Sequence, residues 1–228
     1  MILLGTFVNS LAIILGGGIG LLLNKGLSEK LANAVMNALA LCVLAIGITG
    51  MLEGQNILIS ILSMVAGVLL GETLDLDKRV HQLGHLIERK VSTPGSQVSI
   101  SEGFVTASLL VCVGAMAIVG SLQSGLAGNH DTLYTKALID GIAAIVMASS
   151  LGVGVLFSGV MVLLYQGSIT FFASYLAPLL TDTVISEMTA VGSILLMGLA
   201  LNMLKVTDLK IMNYAPPIFF PIVLGLFL

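Results

Sequence analysis

Apolar runs follow one another along the whole chain, and short polar or charged segments separate most of them. The runs are about 17 to 25 residues long, which is the length of helix that crosses the hydrocarbon core of a bilayer. They are continuous rather than alternating, so they predict helices and not the strands of a barrel. The sequence therefore predicts an all-α polytopic membrane helix bundle, a single integral membrane domain over residues 1–228. The predicted spans are residues 4–23, 31–52, 55–71, 103–122, 136–157, 158–180, 187–204 and 212–228.

The number of spans is seven or eight, depending on whether residues 136–180 cross the bilayer once or twice. Basic residues concentrate in cytoplasmic loops, and basic loops alternate with non-basic ones only if this stretch crosses twice. We therefore expect eight spans, both termini outside, and a turn near Ser158–Gly159. The basic residues that mark the cytoplasmic side are Lys25, Lys30, Lys78, Arg79, Arg89, Lys90, Lys205 and Lys210.

The segment 74–90 differs from the spans because its apolar and polar residues occupy opposite helical faces. This pattern predicts an amphipathic helix that lies on the cytoplasmic surface. His81 and His85 are one turn apart, and one interpretation of this spacing is a divalent-metal site. The alternative is a solvated polar face, which any amphipathic helix displays, and we assign no metal site. The apolar face consists of Leu76, Val80, Leu83 and Ile87.

An internal repeat is indicated by the spacing of the spans. Residues 1–70 align with residues 159–228 without a gap, and three predicted spans and two loops then fall in step. The loop charges make the first span and its counterpart enter the bilayer from opposite sides, so the repeat is inverted. Inverted repeats are common in secondary transporters, which bind substrates near the midplane at the repeat interface.

Composition narrows the class of function. Hydrophobic residues make up 57% of the chain and charged residues 9%, with a mean hydropathy of +1.10. No basic patch with interleaved aromatic residues is present, so nucleic acid is not expected as a partner. Cys42 and Cys112 both lie in apolar runs, which indicates neither a disulfide nor a zinc site. The nucleotide-binding, zincin and serine-hydrolase motifs are absent, so neither a cofactor nor an enzymatic activity is expected.

The N-terminal run has no basic segment before it and no small-residue cleavage site after it. We therefore expect it to be the first span rather than a signal peptide.

Lys136 and Asp140 are two charged residues at the start of the fifth predicted span. Lys136 is expected near the outer end of the span, where its side chain can reach water, and Asp140 is one turn deeper and partly wet. One interpretation is a simple ion pair at a helix end, although lysine before aspartate is the weaker orientation. The other is an ion or proton path, because a carboxylate in a membrane helix is costly unless it is paired or faces a cavity.

The first span contains Asn9 and the glycines Gly16 and Gly20, which have the spacing of a close-packing motif. The alternative is local unwinding that exposes backbone groups to a substrate, as in the broken helices of transporters. In the repeat alignment, the segment around Gly167 in the sixth span is the matching break. Asn9 and Gly167 are therefore candidates for binding a solute or ion.

Amides in the second and seventh spans are further candidates. Asn37 lies one turn after Asn33, and Asn202 lies one turn after Gly198. Amides in membranes most often form hydrogen bonds between helices, and contact with a transported solute is the alternative.

Three stretches carry a resemblance to a known family. They are GTFVNSLAIILGGGIGLLL at the start, the Gly-Glu pair at 71–72, and GNHDTLYTKALIDGIAAIVMASSLG in the middle. The chain resembles the bacterial membrane family catalogued as domain of unknown function 554, the YqgA/YdfK-like proteins. The resemblance covers essentially the whole chain and implies a protein of the bacterial plasma membrane. It implies no substrate and no catalytic residue.

The function favoured by these features is a secondary transporter or passive channel for a small solute or ion, embedded in the lipid bilayer and homo-oligomeric. The first alternative is a membrane scaffold or regulatory partner that does not transport and whose polar residues are satisfied internally. The second is an intramembrane enzyme, for which the sequence shows no constellation of residues.

The predicted topology can be tested by labelling. Cysteines at Gly128 and Thr183 are expected to react with an impermeant reagent from outside, and a cysteine at Lys210 is not, because the loop charges place only the first two outside. Labelling of position 210 from outside would mean that residues 136–180 cross once.

Overall fold

The computed structural model describes residues 2–24, 29–82 and 100–225, and within these ranges it contains helices and no strand. This confirms the predicted all-α fold. The α-helices are α1 (Leu4–Asn24), α2 (Glu29–Met51), α3 (Ile57–Leu74), α4 (Ile100–Cys112), α5 (Ala115–Ala127), α6 (Asp131–Leu151), α7 (Gly154–Phe171), α8 (Ala173–Leu176), α9 (Asp182–Met203) and α10 (Phe220–Leu224). Two 3₁₀-helices, Ile211–Tyr214 and Pro216–Phe219, precede α10.

Six of the described helices are long and apolar enough to cross a membrane: α1, α2, α3, α6, α7 and α9. Their outer faces carry large apolar side chains, such as Leu22 at 71% and Leu138 at 69% exposure. Apolar surface on this scale is rare in soluble proteins and is the normal lipid-facing surface of a membrane bundle.

Residues 136–180 form two long helices, α6 and α7, but the turn lies at Gly152–Val153 and not at Ser158–Gly159 as expected. Ser158 and Gly159 are both inside α7. Gly152 has a φ of 75°, a conformation that glycine adopts without steric cost. This turn consists of two apolar residues, so no charged or polar residue marks it in the sequence. That explains why its predicted position was wrong.

The fourth predicted span, 103–122, is interrupted. The axis of helix α4 and the axis of the segment Met116–Ala127 in α5 form an angle of 63°. Gly114, between them, has a φ of 121°, which again suits glycine alone. The pair is thus a broken span or a re-entrant segment rather than the single straight helix expected.

The last predicted span, 212–228, is also not one long helix over its described part. It consists of the two 3₁₀-helices followed by α10, which has five residues. Pro216, Pro217 and Pro221 lack the N–H that a continuous helix needs. Residues 226–228 lie outside the described residues.

The predicted surface helix is described only in part. Helix α3 ends at Asp75, which has a left-handed backbone conformation, and residues 76–82 are helical. The backbone N–H of Asp77 donates to Asn213 Oδ1 at 2.8 Å. The remainder of the predicted helix, including Leu83, His85 and Ile87, lies outside the described residues.

The chain divides into two compact units. The first consists of residues 1–36, 81–112 and 116–174, and the second of residues 37–80, 113–115 and 175–228. The segments of the proposed repeat, 1–70 and 159–228, each contribute to both units, so neither forms a unit alone. The inverted repeat stays a prediction.

In the first unit, α1 packs most extensively against α6. Gly5 lies against Leu133 near the start of the two helices, and Gly20 lies against Ile145 further along both. Helices α1 and α6 therefore run in the same direction.

Helix α7 runs opposite to α1. Thr6, at the start of α1, contacts Thr170 near the end of α7, and Gly17 faces Leu156 near the start of α7. It follows that α6 and α7 form an antiparallel hairpin with α1 packed against both.

The glycines of α1 allow this close packing. A Cβ atom on Gly16 would collide with the carbonyl oxygen of Gly141, and one on Gly20 with the carbonyl oxygen of Ile145. Helix α1 is continuous from Leu4 to Asn24, so close packing, and not local unwinding, is the role that the structure gives to this motif.

Glycines also line the helix contacts of the second unit. A Cβ on Gly50 of α2 would collide with Ser193 of α9, and one on Gly67 of α3 with Pro217 of the second 3₁₀-helix. Within each unit, the described helices thus approach one another through small residues, as membrane helices commonly do.

Gly16→Leu is expected to destabilise the protein, because the new side chain must displace the backbone of α6. Overpacking of this kind costs typically about 1–3 kcal/mol. The measurement is the midpoint of thermal unfolding of the purified protein in detergent, which should fall by several degrees. Gly18→Leu is the matched control, since a Cβ there meets nothing within 4 Å. Equal losses in the two variants would show that a leucine in this helix, and not the close approach, is responsible.

Candidate functional site

A buried ion pair lies in α6. Lys136 Nζ is 2.9 Å from both carboxylate oxygens of Asp140, one helical turn further along. Lys136 is 7% exposed and Asp140 is 4% exposed. The expectation that Lys136 reaches water and that Asp140 is partly wet was therefore wrong. Helix α6 begins at Asp131, five residues earlier than predicted, which places both side chains deeper in the helix.

Asn9 of α1 and Gln166 of α7 complete the polar cluster. Asn9 Nδ2 donates to Asp140 Oδ2 at 3.0 Å and to Gln166 Oε1 at 3.3 Å. Both amides are fully buried. Three helices thus contribute to one cluster, which we call the polar cluster: Asn9, Lys136, Asp140 and Gln166.

The cluster stabilises charges that would otherwise be costly to bury. Removal of one partner from a buried ion pair typically destabilises a protein by about 3–5 kcal/mol, because the other charge is left uncompensated. Asp140 has Lys136 as its counter-ion and Asn9 as a further donor. Each charge therefore depends on the other, and both depend on α1 being in place.

Two atoms of the polar cluster have no hydrogen-bond partner. They are Asn9 Oδ1, an acceptor, and Gln166 Nε2, a donor. An unsatisfied buried polar group costs about 1–3 kcal/mol, so native proteins usually supply a partner, often a water molecule. The cluster therefore offers one free acceptor and one free donor beside a carboxylate and an ammonium group.

Smaller polar groups lie outside the polar cluster, along the contact between α1 and α7. Thr6 Oγ1 lies 3.5 Å from Thr170 Oγ1, and Ser10 Oγ donates to the carbonyl oxygen of Gly159 at 2.7 Å. Gly167 is half-buried, and a Cβ there would lie 4.0 Å from the methyl group of Thr6. Helix α7 is continuous through Gly167, so the predicted break is not present.

The opposite face of α6 is apolar. Leu138, Ile139 and Ile142 are exposed, whereas the polar face with Lys136 and Asp140 is turned toward α1. The helix therefore separates a lipid-facing surface from a polar interior, which is where ionisable residues of membrane helices are normally found.

The other two candidate residues do not join the polar cluster. Asn37 is exposed and belongs to the second unit. Asn202, also in the second unit, holds the loop after α9: its Nδ2 donates to the carbonyl oxygen of Leu209, and its Oδ1 accepts from the N–H of Leu209 and the hydroxyl of Thr207. These bonds are local, and none goes to a neighbouring helix.

Sequence reasoning included Gln166 only in the segment around Gly167 and did not identify it as a site residue. The available signal was a glutamine inside an otherwise apolar run, but no periodicity connects it to Asn9, which is 157 residues away.

A second buried carboxylate, Glu187, was also missed. It is 1% exposed in α9, and its Oε1 accepts the backbone N–H groups of Gln55 and Asn56 at 2.7 Å each. The seventh predicted span, 187–204, had Glu187 as its first residue, and that boundary was wrong. The start of α9 at Asp182, rather than at residue 187, places Glu187 more than one turn inside the helix.

Ligand groups for a metal ion do not converge in the described part of the chain, where no three His, Cys, Asp or Glu side chains lie close enough together. His85 lies outside the described residues. Both cysteines are free, Cys42 on the exposed surface and Cys112 half-buried.

The sequence of the chain matches one protein family and two uncharacterised bacterial proteins. The family described as "Protein of unknown function (DUF554)" matches residues 4–226. "Uncharacterized membrane protein YdfK" of Bacillus subtilis (strain 168) is 30% identical over 221 residues, which cover 95% of this chain and 93% of that protein. "Uncharacterized protein YqgA" of Escherichia coli (strain K12) is 27% identical over 217 residues, which cover 93% of this chain and 92% of that protein.

No solved structure matches the chain significantly. The family match spans nearly the whole sequence and therefore includes every member of the polar cluster. With six helices of membrane-spanning length, the protein is a membrane protein, and it belongs to the DUF554 family.

Proposed function

We propose that the protein is a secondary transporter or channel for a small solute or ion, and that the polar cluster lies on its path. The observation that carries the proposal is a buried lysine–aspartate pair with one unsatisfied acceptor and one unsatisfied donor beside it. The arrangement combines both charges and both hydrogen-bonding roles in one small region of an apolar bundle.

The energetic argument begins with the ion pair. Buried ion pairs seldom stabilise a fold more than apolar residues of similar volume would. In membrane helices, ionisable side chains are rare and mark ion, proton or substrate paths by default. The presence of Lys136 and Asp140 in α6 is therefore better explained by function than by stability.

In the polar cluster, a bound solute or ion can replace one member of the ion pair as the partner of the other. A cation or proton that reaches Asp140 takes the place of Lys136, and an anion that reaches Lys136 takes the place of Asp140. Asn9 Oδ1 and Gln166 Nε2 supply an acceptor and a donor for the polar part of a solute or for its water. Because Asn9 bonds Asp140 directly, a change at the carboxylate is transmitted to α1.

The membrane context forms part of the proposal. Loop charges support eight spans with both termini outside, in a bacterial plasma membrane; this count requires that the bent pair α4–α5 and the short helices between Ile211 and Leu224 each cross the bilayer. The inverted repeat and a homo-oligomeric assembly are consistent with transport, and no enzymatic activity is included.

The competing function is a membrane scaffold without transport. It is favoured by the tight glycine contacts of α1 with α6, which would suit a rigid body. In that case the polar cluster only joins helices, and water does not reach it. Access of water to Asn9 therefore separates the two functions without knowledge of the solute.

A cysteine at Asn9 is expected to react with a small hydrophilic thiol reagent, because the thiolate forms only where water has access. The protein for this test carries Cys42→Ser and Cys112→Ser, is reconstituted in liposomes, and is assayed by mass spectrometry. Ile13→Cys is the control, since Ile13 lies one turn further along α1 and is an apolar residue that is fully buried. Equal and negligible labelling at both positions, with the protein folded, would contradict a path through the cluster.

Asp140→Asn is expected to abolish function, because it removes the charge and the titratable proton with little change in shape. In a strain that lacks the protein, the variant should fail to restore the metabolite profile that the wild type restores. Since Asp140→Asn leaves Lys136 buried without its counter-ion, the double variant Asp140→Asn/Lys136→Met tests the role of charge without an unpaired ammonium group. A double variant that restores the profile fully would return the pair to a structural role.

Thr170→Val is the matched control for these variants. It removes a buried hydroxyl from the same helix contact but leaves the four residues of the polar cluster unchanged, and the metabolite profile is expected to be restored.

A further inference from the structure

Only one oxygen of the buried Glu187 carboxylate is used by the fold. Its Oε1 accepts the two N–H groups of Gln55 and Asn56 and so holds the turn between α2 and α3 against α9. Its Oε2 is buried and has no hydrogen-bond partner. A carboxylate oxygen in this position requires a donor or a cation to offset its desolvation.

A cavity of about 350 Å³ adjoins this carboxylate and is lined by Glu187 itself. Ile59, Val184 and Pro221 form an apolar wall, and polar side chains from the α2–α3 turn and the start of α9 form the remainder. Thr183, which also lines the cavity, is exposed, so the cavity opens to the surface at this end of the second unit. All of its lining residues belong to that unit.

The charge around the cavity favours a cation. None of the described residues that line it is basic. Residues 52–56, which connect α2 to α3, contain Glu53 and no lysine or arginine, and residues 172–181 contain no charge. The first turn of α9 adds Asp182. An anionic ligand would meet no basic side chain of the described lining, whereas a cation would find Glu187 as its counter-ion.

The volume of the cavity and the residues that line it limit which kind of cation can bind. Ligand pockets for small organic molecules begin at about 300 Å³, so the cavity is roomy for a bare ion held by one carboxylate. A divalent metal ion needs several acidic or histidine ligands, and the described residues bring no three of them together. A cation with a short hydrocarbon part fits both the carboxylate and the apolar wall.

We propose that this cavity binds a small primary amine in its ammonium form, with the carboxylate of Glu187 as the counter-ion. An ammonium group has three N–H donors. Glu187, Gln55 and Thr183 line the cavity, and each carries a side-chain oxygen that can accept an N–H group. The carbon chain lies against Ile59, Val184 and Pro221. This site belongs to the second unit and is independent of the transport function proposed for the polar cluster.

The probe is n-butylammonium chloride, added to the purified full-length protein in detergent at neutral pH. The midpoint of thermal unfolding should rise saturably with its concentration. Sodium chloride at equal ionic strength and 1-butanol at equal concentration should give no saturable shift, because one lacks the carbon chain and the other lacks the charge. A missing shift with butylammonium, or an equal one with sodium, would overturn the proposal.

Glu187→Gln is the decisive variant. Glutamine keeps an oxygen for the N–H groups of Gln55 and Asn56 but turns an N–H₂ group toward the ammonium. The affinity for butylammonium should fall by roughly tenfold or more. Asp208→Asn is the matched control, because Asp208 is an exposed carboxylate of the same unit that does not line the cavity, and its removal should change the affinity little.

Thr183→Phe provides a second variant that leaves the carboxylate intact. A phenyl group at this exposed position fills the mouth of the cavity, so binding should be lost while the fold is kept. If butylammonium still bound the Glu187→Gln and Thr183→Phe variants as tightly as the wild type, the amine would bind elsewhere and the assignment would be wrong.

Discussion

The close approach of α1 to α6 is the constraint on which the polar cluster depends. Lipid is as apolar as leucine, so the hydrophobic effect does not bring two membrane helices together, and van der Waals contact between small residues has to. Gly16 and Gly20 allow that contact with the carbonyl groups of α6. Asn9 lies about two helical turns before Gly16 and therefore on the same face, which directs its amide to Asp140. The packing of the glycines thus fixes the geometry of the charges.

The two buried carboxylates differ in what holds them. Glu187 is bonded through one oxygen to backbone N–H groups, which cannot move unless the turn itself moves. Asp140 is bonded only to side chains, Lys136 and Asn9, and each of these can rotate away about its own bonds. The backbone bonds of Glu187 suit a carboxylate that holds the fold in place. The side-chain bonds of Asp140 suit a carboxylate whose partners are exchanged.

Most of the fold could be predicted from the sequence, because the length of a continuous apolar run determines that a helix forms and roughly where it ends. The i,i+4 relation between Lys136 and Asp140 was predictable for the same reason, since helical periodicity alone brings them together. The depth of the pair was not, because it depends on the start of α6 at Asp131, where no apolar residue changes the hydropathy pattern sharply.

Features that arise from tertiary contacts could not be predicted from the sequence. Gln166 joins Asn9 only because α7 folds back beside α1, and the turn that permits this, at Gly152, contains no polar residue. The break at Gly114 and the short helices between Ile211 and Leu224 depend on the backbone conformations of single glycines and prolines, which hydropathy does not register. Glu187 was assigned to a helix end because the acidic residues before it resemble a loop.

The position of Lys136 and Asp140 within a single helix also bears on how the protein enters the membrane. The ion pair can form as soon as the first turns of α6 form. The helix can therefore insert into the bilayer with these two charges already neutralised. A lysine contributed by another helix would leave the carboxylate alone until the bundle had assembled, and insertion of α6 would then carry the full cost of a bare charge. The local pair therefore separates the entry of the helix into lipid from the later arrival of Asn9 and Gln166.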